Sequence, residues 1–205
     1  MKKNFHRYSL AAALVTAVLF LSACGAAATE APIPAAVEEM AATEAVETVV
    51  TETEDPAPPA WFSAEMKDVV SGESFTINDF AGKVVLLETM ATWCPTCLKQ
   101  ANEVKALKEM LADQDDVVLL SLDVDLNEDE DVLKNYTTQG GFDWRFAVAP
   151  LEVQRELGNL YTADLLNPPL APMLIIDQQG DVFGLPNGLK GAEALYKTLL
   201  SHLDP

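Results

Sequence analysis

The chain has 205 residues, with 32 acidic against 13 basic side chains and a formal net charge of −19. A field of that sign disfavours nucleic acid and anionic lipid surfaces, and it serves mainly to keep the protein in solution. Three cysteines, Cys24, Cys94 and Cys97, and two histidines, His6 and His202, bound the metal and thiol chemistry available.

At the N-terminus Lys2, Lys3 and Arg7 precede an uncharged apolar run from Leu10 to Ala23. The run is about the length of a signal h-region and shorter than the roughly 20 residues that span a bilayer. The stretch "LSAC", Leu21 to Cys24, resembles the lipobox of bacterial lipoproteins. Residues 1–23 are therefore expected to be a lipoprotein signal peptide, with Cys24 lipidated as the new N-terminus. Cleavage of an ordinary signal peptide nearby, or an uncleaved anchor, is the competing reading. Loss of the three basic residues would take the net charge from −19 to −22. The expected location is extracytoplasmic, as a bacterial cell membrane lipoprotein that meets the membrane through its lipid alone. A lipidated Cys24 is lost as a disulfide partner, and export places the rest where disulfides persist.

Residues 24–60 are rich in Ala, Glu, Thr, Val and Pro, with eight acidic side chains, no basic ones, and "DPAPPA" at the end. Such a segment buries too little apolar surface to offset its ordering entropy, so it is expected to be a disordered tether. A weak helix through "AAVEEMAATEAVETVV" competes with that reading. Residues 61–205 are long enough for one domain with its own core.

Within that domain "KVVLLETMATW" reads as a buried strand leading to the cysteines, and "CLKQANEVKALKEMLAD" as an amphipathic helix. Val104, Leu107, Met110 and Leu111 are spaced for its apolar face. "DVVLLSLDVD" is a second strand, and "NEDEDVLKNYTTQGG" an acidic-started helix closed by glycines. "WRFAVA" is a short strand, "LEVQRELGNLY" a short helix, "MLIIDQQGDVFGL" a hairpin turning at "QQGD", and "GAEALYKTLLSHL" a closing helix. Two long apolar strands joined by a helix form a parallel βαβ unit covered on both faces. The expected class is α/β, a mixed central sheet between helices.

Cys94 falls where a strand ends and a helix begins, so free amides and the positive end of the helix dipole favour its thiolate. Cys97 lies one turn on, close enough to attack a mixed disulfide. Pro95 suits the first helical turn, where its missing N–H loses nothing. A zinc site would need two further ligands, and His202 near the C-terminus does not supply them. Inert core thiols are the remaining alternative. His202 itself is expected to be an exposed residue at a helix end. Glu88 is the lone charge in "VVLLETM"; buried, its carboxyl would hold its proton to higher pH and suit proton transfer, unless it reaches water at the strand end.

The segment "GKVVLLETMATWCPTC" resembles the active-site strand of the thioredoxin superfamily, in particular its exported TlpA and ResA-like branch, and "APMLIIDQQG" is similar to that family's cis-proline strand. The resemblance covers nearly all of residues 61–205. It implies a thioredoxin-like three-layer α/β/α sandwich and a thiol-disulfide oxidoreductase that needs no cofactor. By the resemblance Cys94 is the attacking thiol, Cys97 the resolving thiol, and Glu88 the acceptor of the resolving thiol's proton. Trp93 packs beside the site, and Pro95 and Thr96 are the dipeptide that tunes it. Pro172 becomes a cis-proline that turns backbone groups of Ala171 toward the sulfurs. The implied partners are exported proteins carrying cysteines or disulfides and a membrane electron donor or acceptor, with reduction the preferred direction. The chain departs from the family pattern at Thr89 and Met90, at Asn102, and at Gln100, where cytochrome-maturation reductants carry Glu.

Three other activities compete. A peroxiredoxin-like peroxidase needs a hydroxyl three residues before its cysteine, where this chain has Ala91. A Sco-like copper carrier pairs CxxxC with a distant histidine, whereas this chain has CxxC and no suitable histidine. A non-catalytic adaptor could keep the fold alone. The acidic run "DVDLNEDED" lacks the glycine and closing Glu of an EF-hand loop and reads as a solvated helix start.

Overall fold

A computed structural model describes residues 57–203, all within one compact unit, Glu52–Pro205. The expected signal peptide, the lipidation site Cys24 and the tether up to residue 56 lie outside the described residues.

A two-stranded ribbon, β1 (Met66–Lys67) and β2 (Ser74–Phe75), precedes the main sheet. The sheet comprises β3 (Val84–Met90), β4 (Val117–Asp123), β5 (Arg145–Val148), β6 (Met173–Ile176) and β7 (Val182–Gly184), in the order β5-β4-β3-β6-β7. β3 runs parallel to β4, and β4 to β5, while β6 is antiparallel to both β3 and β7. Every residue of β3 is buried, as a central strand covered on both faces must be. The mixed sheet and the hairpin of β6 and β7 agree with the sequence reading.

Alternation along β3 and β4 divides the core in two. Val84, Leu86 and Met90 face a layer built from α1 (Pro95–Met110), α2 (Glu130–Gly140) and α4 (Ala192–Leu200), with Phe142, Trp144 and Phe146 among them. Val85 and Leu87 face α3 (Leu151–Leu160) and the aromatic residues Trp61, Phe62, Phe75 and Phe80. These are the three layers of the expected sandwich. Glu88 falls in the same alternating set as Leu86 and Met90, which puts it on the face of α1.

The buried stripe of α1 is Cys97, Gln100, Ala101, Val104 and Leu107. Met110, expected on that face, is instead exposed, because the stripe follows a spacing of three and four residues from Cys97 and leaves it on the solvent side. α2 ends at Gly141, whose left-handed backbone (φ 59°) closes the helix. His202 is half-buried, its ring 4.9 Å from that of Phe183.

Candidate active site

Cys94 is the N-cap of α1, and its Sγ accepts the amide of Cys97 at 3.1 Å, with Pro95 in the first turn. The sulfurs of Cys94 and Cys97 are at disulfide distance, with Cα atoms 5.2 Å apart. An amide donor and the helix N-terminus both stabilise negative charge on Cys94. Both cysteines are buried, with 1% and 3% of their surface exposed, so exchange requires a local opening. Thr96 is half-buried beside them, and Pro95 is exposed.

The sulfur of Cys97 lies 3.4 Å from the carbonyl oxygen of Pro168, a contact that becomes a hydrogen bond once Cys97 is a thiol. Pro168 opens a short 3-10 turn, Pro168–Leu170, that packs against α1 and leads into β6. The structure corrects the expectation for Pro172 here, since no peptide bond among the described residues is cis. The chain reverses instead through Ala171, in the left-handed region at φ 46° and ψ 54°, its amide bonded to the Pro168 carbonyl at 2.8 Å. With that turn in place, a trans bond delivers Pro172 to β6, where its carbonyl accepts the amide of Thr89 at 3.3 Å. The backbone groups of Ala171, expected to face the sulfurs, are taken elsewhere, the amide by the Pro168 carbonyl and the carbonyl by Lys190 Nζ at 2.7 Å.

Glu88 is 5% exposed, so its carboxyl does not reach solvent at the strand end. Burial pushes it up to about 7, while a hydrogen bond from Ser121 and the charge of Lys190 act in the opposite direction. The Ser121 hydroxyl donates to Glu88 at 2.5 Å and accepts from Trp144 Nε1 at 2.8 Å.

Trp93, expected to pack beside the site, is 57% exposed and donates its indole N–H to Asp125 at 2.6 Å. Asp125 belongs to the loop after β4, which also grips the preceding residue. Glu128 accepts both the amide of Thr92, at 2.8 Å, and the Thr92 hydroxyl. The acidic run does start α2, with Asp129 as its N-cap. Two more of its carboxylates, Asp125 and Glu128, fasten the turn that carries Cys94, and the described residues contain no group of three or more His, Cys, Asp or Glu placed to hold a metal ion. Asp123 is fully buried, and burial together with Glu128 raises its carboxyl well above the usual range. Sequence reasoning passed over Asp123, although the argument made for Glu88 applies equally to an acid ending "VVLLSLD".

Ala91 is buried and carries no hydroxyl, and the hydroxyl of the adjacent Thr92 is committed to Glu128. The peroxidase reading therefore lacks its polarising group. No helix among the described residues is long and apolar enough to cross a membrane.

A mixed five-stranded sheet with a cysteine pair at the start of the helix after its central strand is a thioredoxin-like fold with its two sulfurs at disulfide distance. The chain belongs to the Redoxin family, whose model matches residues 28–191. That match starts within the stretch read from sequence as a spacer. Among solved structures, a thiol:disulfide interchange protein of the thioredoxin family from Chlorobium tepidum TLS is 21% identical, with a TM-score of 0.58 over 73% of this chain and 99% of its own. Etrx1, the pneumococcal exposed lipoprotein thioredoxin from Streptococcus pneumoniae strain TIGR4, is 22% identical, with a TM-score of 0.54 over 67% and 98%. StoA from Bacillus subtilis is 17% identical, with a TM-score of 0.52 over 65% and 93%. At such identities the likeness speaks to the fold. No curated protein matches the chain.

Proposed function

We propose that the protein exchanges disulfides with exported proteins through Cys94 and Cys97, outside the cytoplasm and tethered to the membrane by a lipid on Cys24. The observation that carries the chemistry is Cys94 as N-cap of α1, its sulfur receiving the Cys97 amide at 3.1 Å. In the reductive direction the Cys94 thiolate attacks a client disulfide, and one client thiolate leaves to take a proton from solvent. Cys97 then gives its proton to Glu88 and attacks the Cys94 sulfur. The second client thiolate departs, the client has gained two electrons, and the Cys94–Cys97 disulfide has formed. A membrane electron donor would return the pair to dithiol.

Glu88 suits the acceptor role because burial brings its carboxyl to about 7, where it can both take and release a proton near neutrality. The tether and location rest on the lipobox-like "LSAC" and on the lipoprotein thioredoxin among the structural relatives. The test is a trapping experiment with Cys97→Ser, in which mixed disulfides between Cys94 and exported proteins are expected to accumulate. Their absence, with Cys94→Ser and Cys97→Ser giving the same pattern, would contradict the proposal.

A further inference from the structure

Lys190 lies in the loop between β7 and α4. Its backbone is held at two points by one side chain. The Gln100 amide nitrogen donates to the Lys190 carbonyl at 2.9 Å, and Gln100 Oε1 accepts the Lys190 amide at 2.9 Å. Gln100 is itself buried on α1, one turn beyond Cys97. The helix that carries the cysteines thus fixes where Lys190 begins.

The ammonium end is fixed as well, donating to the carbonyls of Ala171 and Gly188 at 2.7 Å each. A third bond joins the same segments, from the Gly188 amide to the Leu170 carbonyl at 2.8 Å. Together these hold the turn through Ala171, whose left-handed backbone is strained for an alanine. That turn leads directly from Pro168, which meets the Cys97 sulfur, to Pro172.

The groups that bear on Glu88 come from several elements. β4 brings the Ser121 hydroxyl, β6 brings the uncharged Met173, and α2 brings Tyr136, a phenol that feels the Glu88 charge and carries none of its own near neutrality. The cysteine pair on α1 shares this face of the sheet. Lys190 is the cation that acts on Glu88 among the described residues. Burial in turn works against the ammonium, and the Glu88 charge supports it.

We propose that Lys190 is a positioning residue of the redox site, clamped by Gln100 so that one ammonium pins the Ala171 turn and holds a fixed positive charge on the turn that leads from the Cys97 contact into β6. This rests on the reading of Glu88 as proton acceptor for Cys97. The lysine charge favours the charged form of Glu88, which is the form that receives the thiol proton. The chain thereby uses a lysine from its C-terminal loop, anchored through glutamine, to keep a buried acid available as a base.

The experiment titrates the Glu88 carboxyl by carbon-detected NMR in the oxidised protein, where the cysteines do not titrate, and separately follows thiol-disulfide exchange against pH. Wild type, Lys190→Met, Lys190→Arg and Lys190→Met combined with Ala171→Gly are compared. Lys190→Met is expected to raise the Glu88 midpoint by about one pH unit and move the exchange profile the same way, while Lys190→Arg stays near wild type. Ala171→Gly should restore thermal stability to Lys190→Met without restoring the midpoint, which separates pinning from charge. Thermal unfolding confirms that each variant is folded, and Lys190→Gln replaces Lys190→Met if that variant is not. A Glu88 midpoint unchanged by removal of the lysine charge overturns the inference. A wild type inactive in exchange would instead overturn the oxidoreductase reading, whatever the titration shows.

Discussion

The Ser121 hydroxyl donates its proton to the Glu88 carboxylate at 2.5 Å, and it is free to do so because Trp144 Nε1 already occupies its acceptor side at 2.8 Å. Residues 88 and 121 are register partners on parallel neighbouring strands, so the contact is built into the sheet. Trp144 and Ser121 form a chain of donors that ends on the buried carboxyl of Glu88, on the face of the sheet that packs α1. That arrangement keeps a buried carboxylate tolerable without giving it a formal partner at contact distance.

Glu88 carries a stability cost whose sign can be worked out. In the unfolded chain it loses its proton near 4.5, whereas in the folded protein it holds the proton to about 7. The stabilisation from the extra bound proton is complete below pH 4.5 and is lost as pH rises through 7. The gap corresponds to about 3 kcal/mol at about 1.4 kcal/mol for each pH unit, an upper figure for a group whose surroundings relax. Glu88→Gln is therefore expected to unfold at higher denaturant than wild type at pH 8, with the difference shrinking toward pH 5. Exchange in the same variant should fall by about a hundredfold or more at neutral pH, the scale of a lost general base.

Asp123 makes a second prediction of the same sign. Its Oδ1 accepts the Asp125 amide at 3.0 Å, but its Oδ2 has no donor among the described residues and meets Glu128, another acceptor. Two carboxylates so placed are reconciled by a proton between them. Stability from that proton is lost as pH rises through the raised value. Asp123→Asn keeps the acceptor for Asp125 and offers Glu128 an N–H, so it should gain on wild type as pH rises from 5 to 9 in urea unfolding. A constant difference across that range would contradict the shared proton.

Gly140 tests the packing beneath α2. A Cβ there would stand 2.2 Å from Phe142 Cε2, in the ring cluster that also holds Tyr136, Trp144 and Phe146. Phe142 is buried and has little room to turn, so Gly140→Ala should cost at least about 2 kcal/mol by calorimetry. At Gly141 the cost has a different origin, the left-handed backbone, and Gly141→Ala should cost about 1 kcal/mol.

The elements with the clearest periodicity were legible in the sequence, because burial on both faces writes long apolar runs such as "VVLLETM" and because turn residues such as "QQGD" mark a hairpin. Cys94, Cys97 and Glu88 were legible for chemical reasons, namely a strand-to-helix junction, a one-turn spacing and a lone charge in an apolar strand. Lys190, Gln100, Glu128 and Asp125 were not, since their roles depend on contacts across 30 to 90 positions that no local pattern records. The trans bond before Pro172 was missed for a related reason. Nothing in "PPLAPM" says that Ala171 will take a left-handed turn, which is held in place by a loop almost twenty residues later.

The central claim is that Cys94 and Cys97 form a working redox couple. Equilibrating the protein in buffers of graded thiol-disulfide ratio and labelling its free thiols measures this directly. The account predicts one reversible two-electron transition, abolished in Cys94→Ser, at a potential between about −270 mV for thioredoxin and about −120 mV for a strong oxidant. A value toward the first supports reduction of clients, and a value toward the second supports oxidation. A pair that does not exchange with the buffer thiols at any ratio would contradict the account.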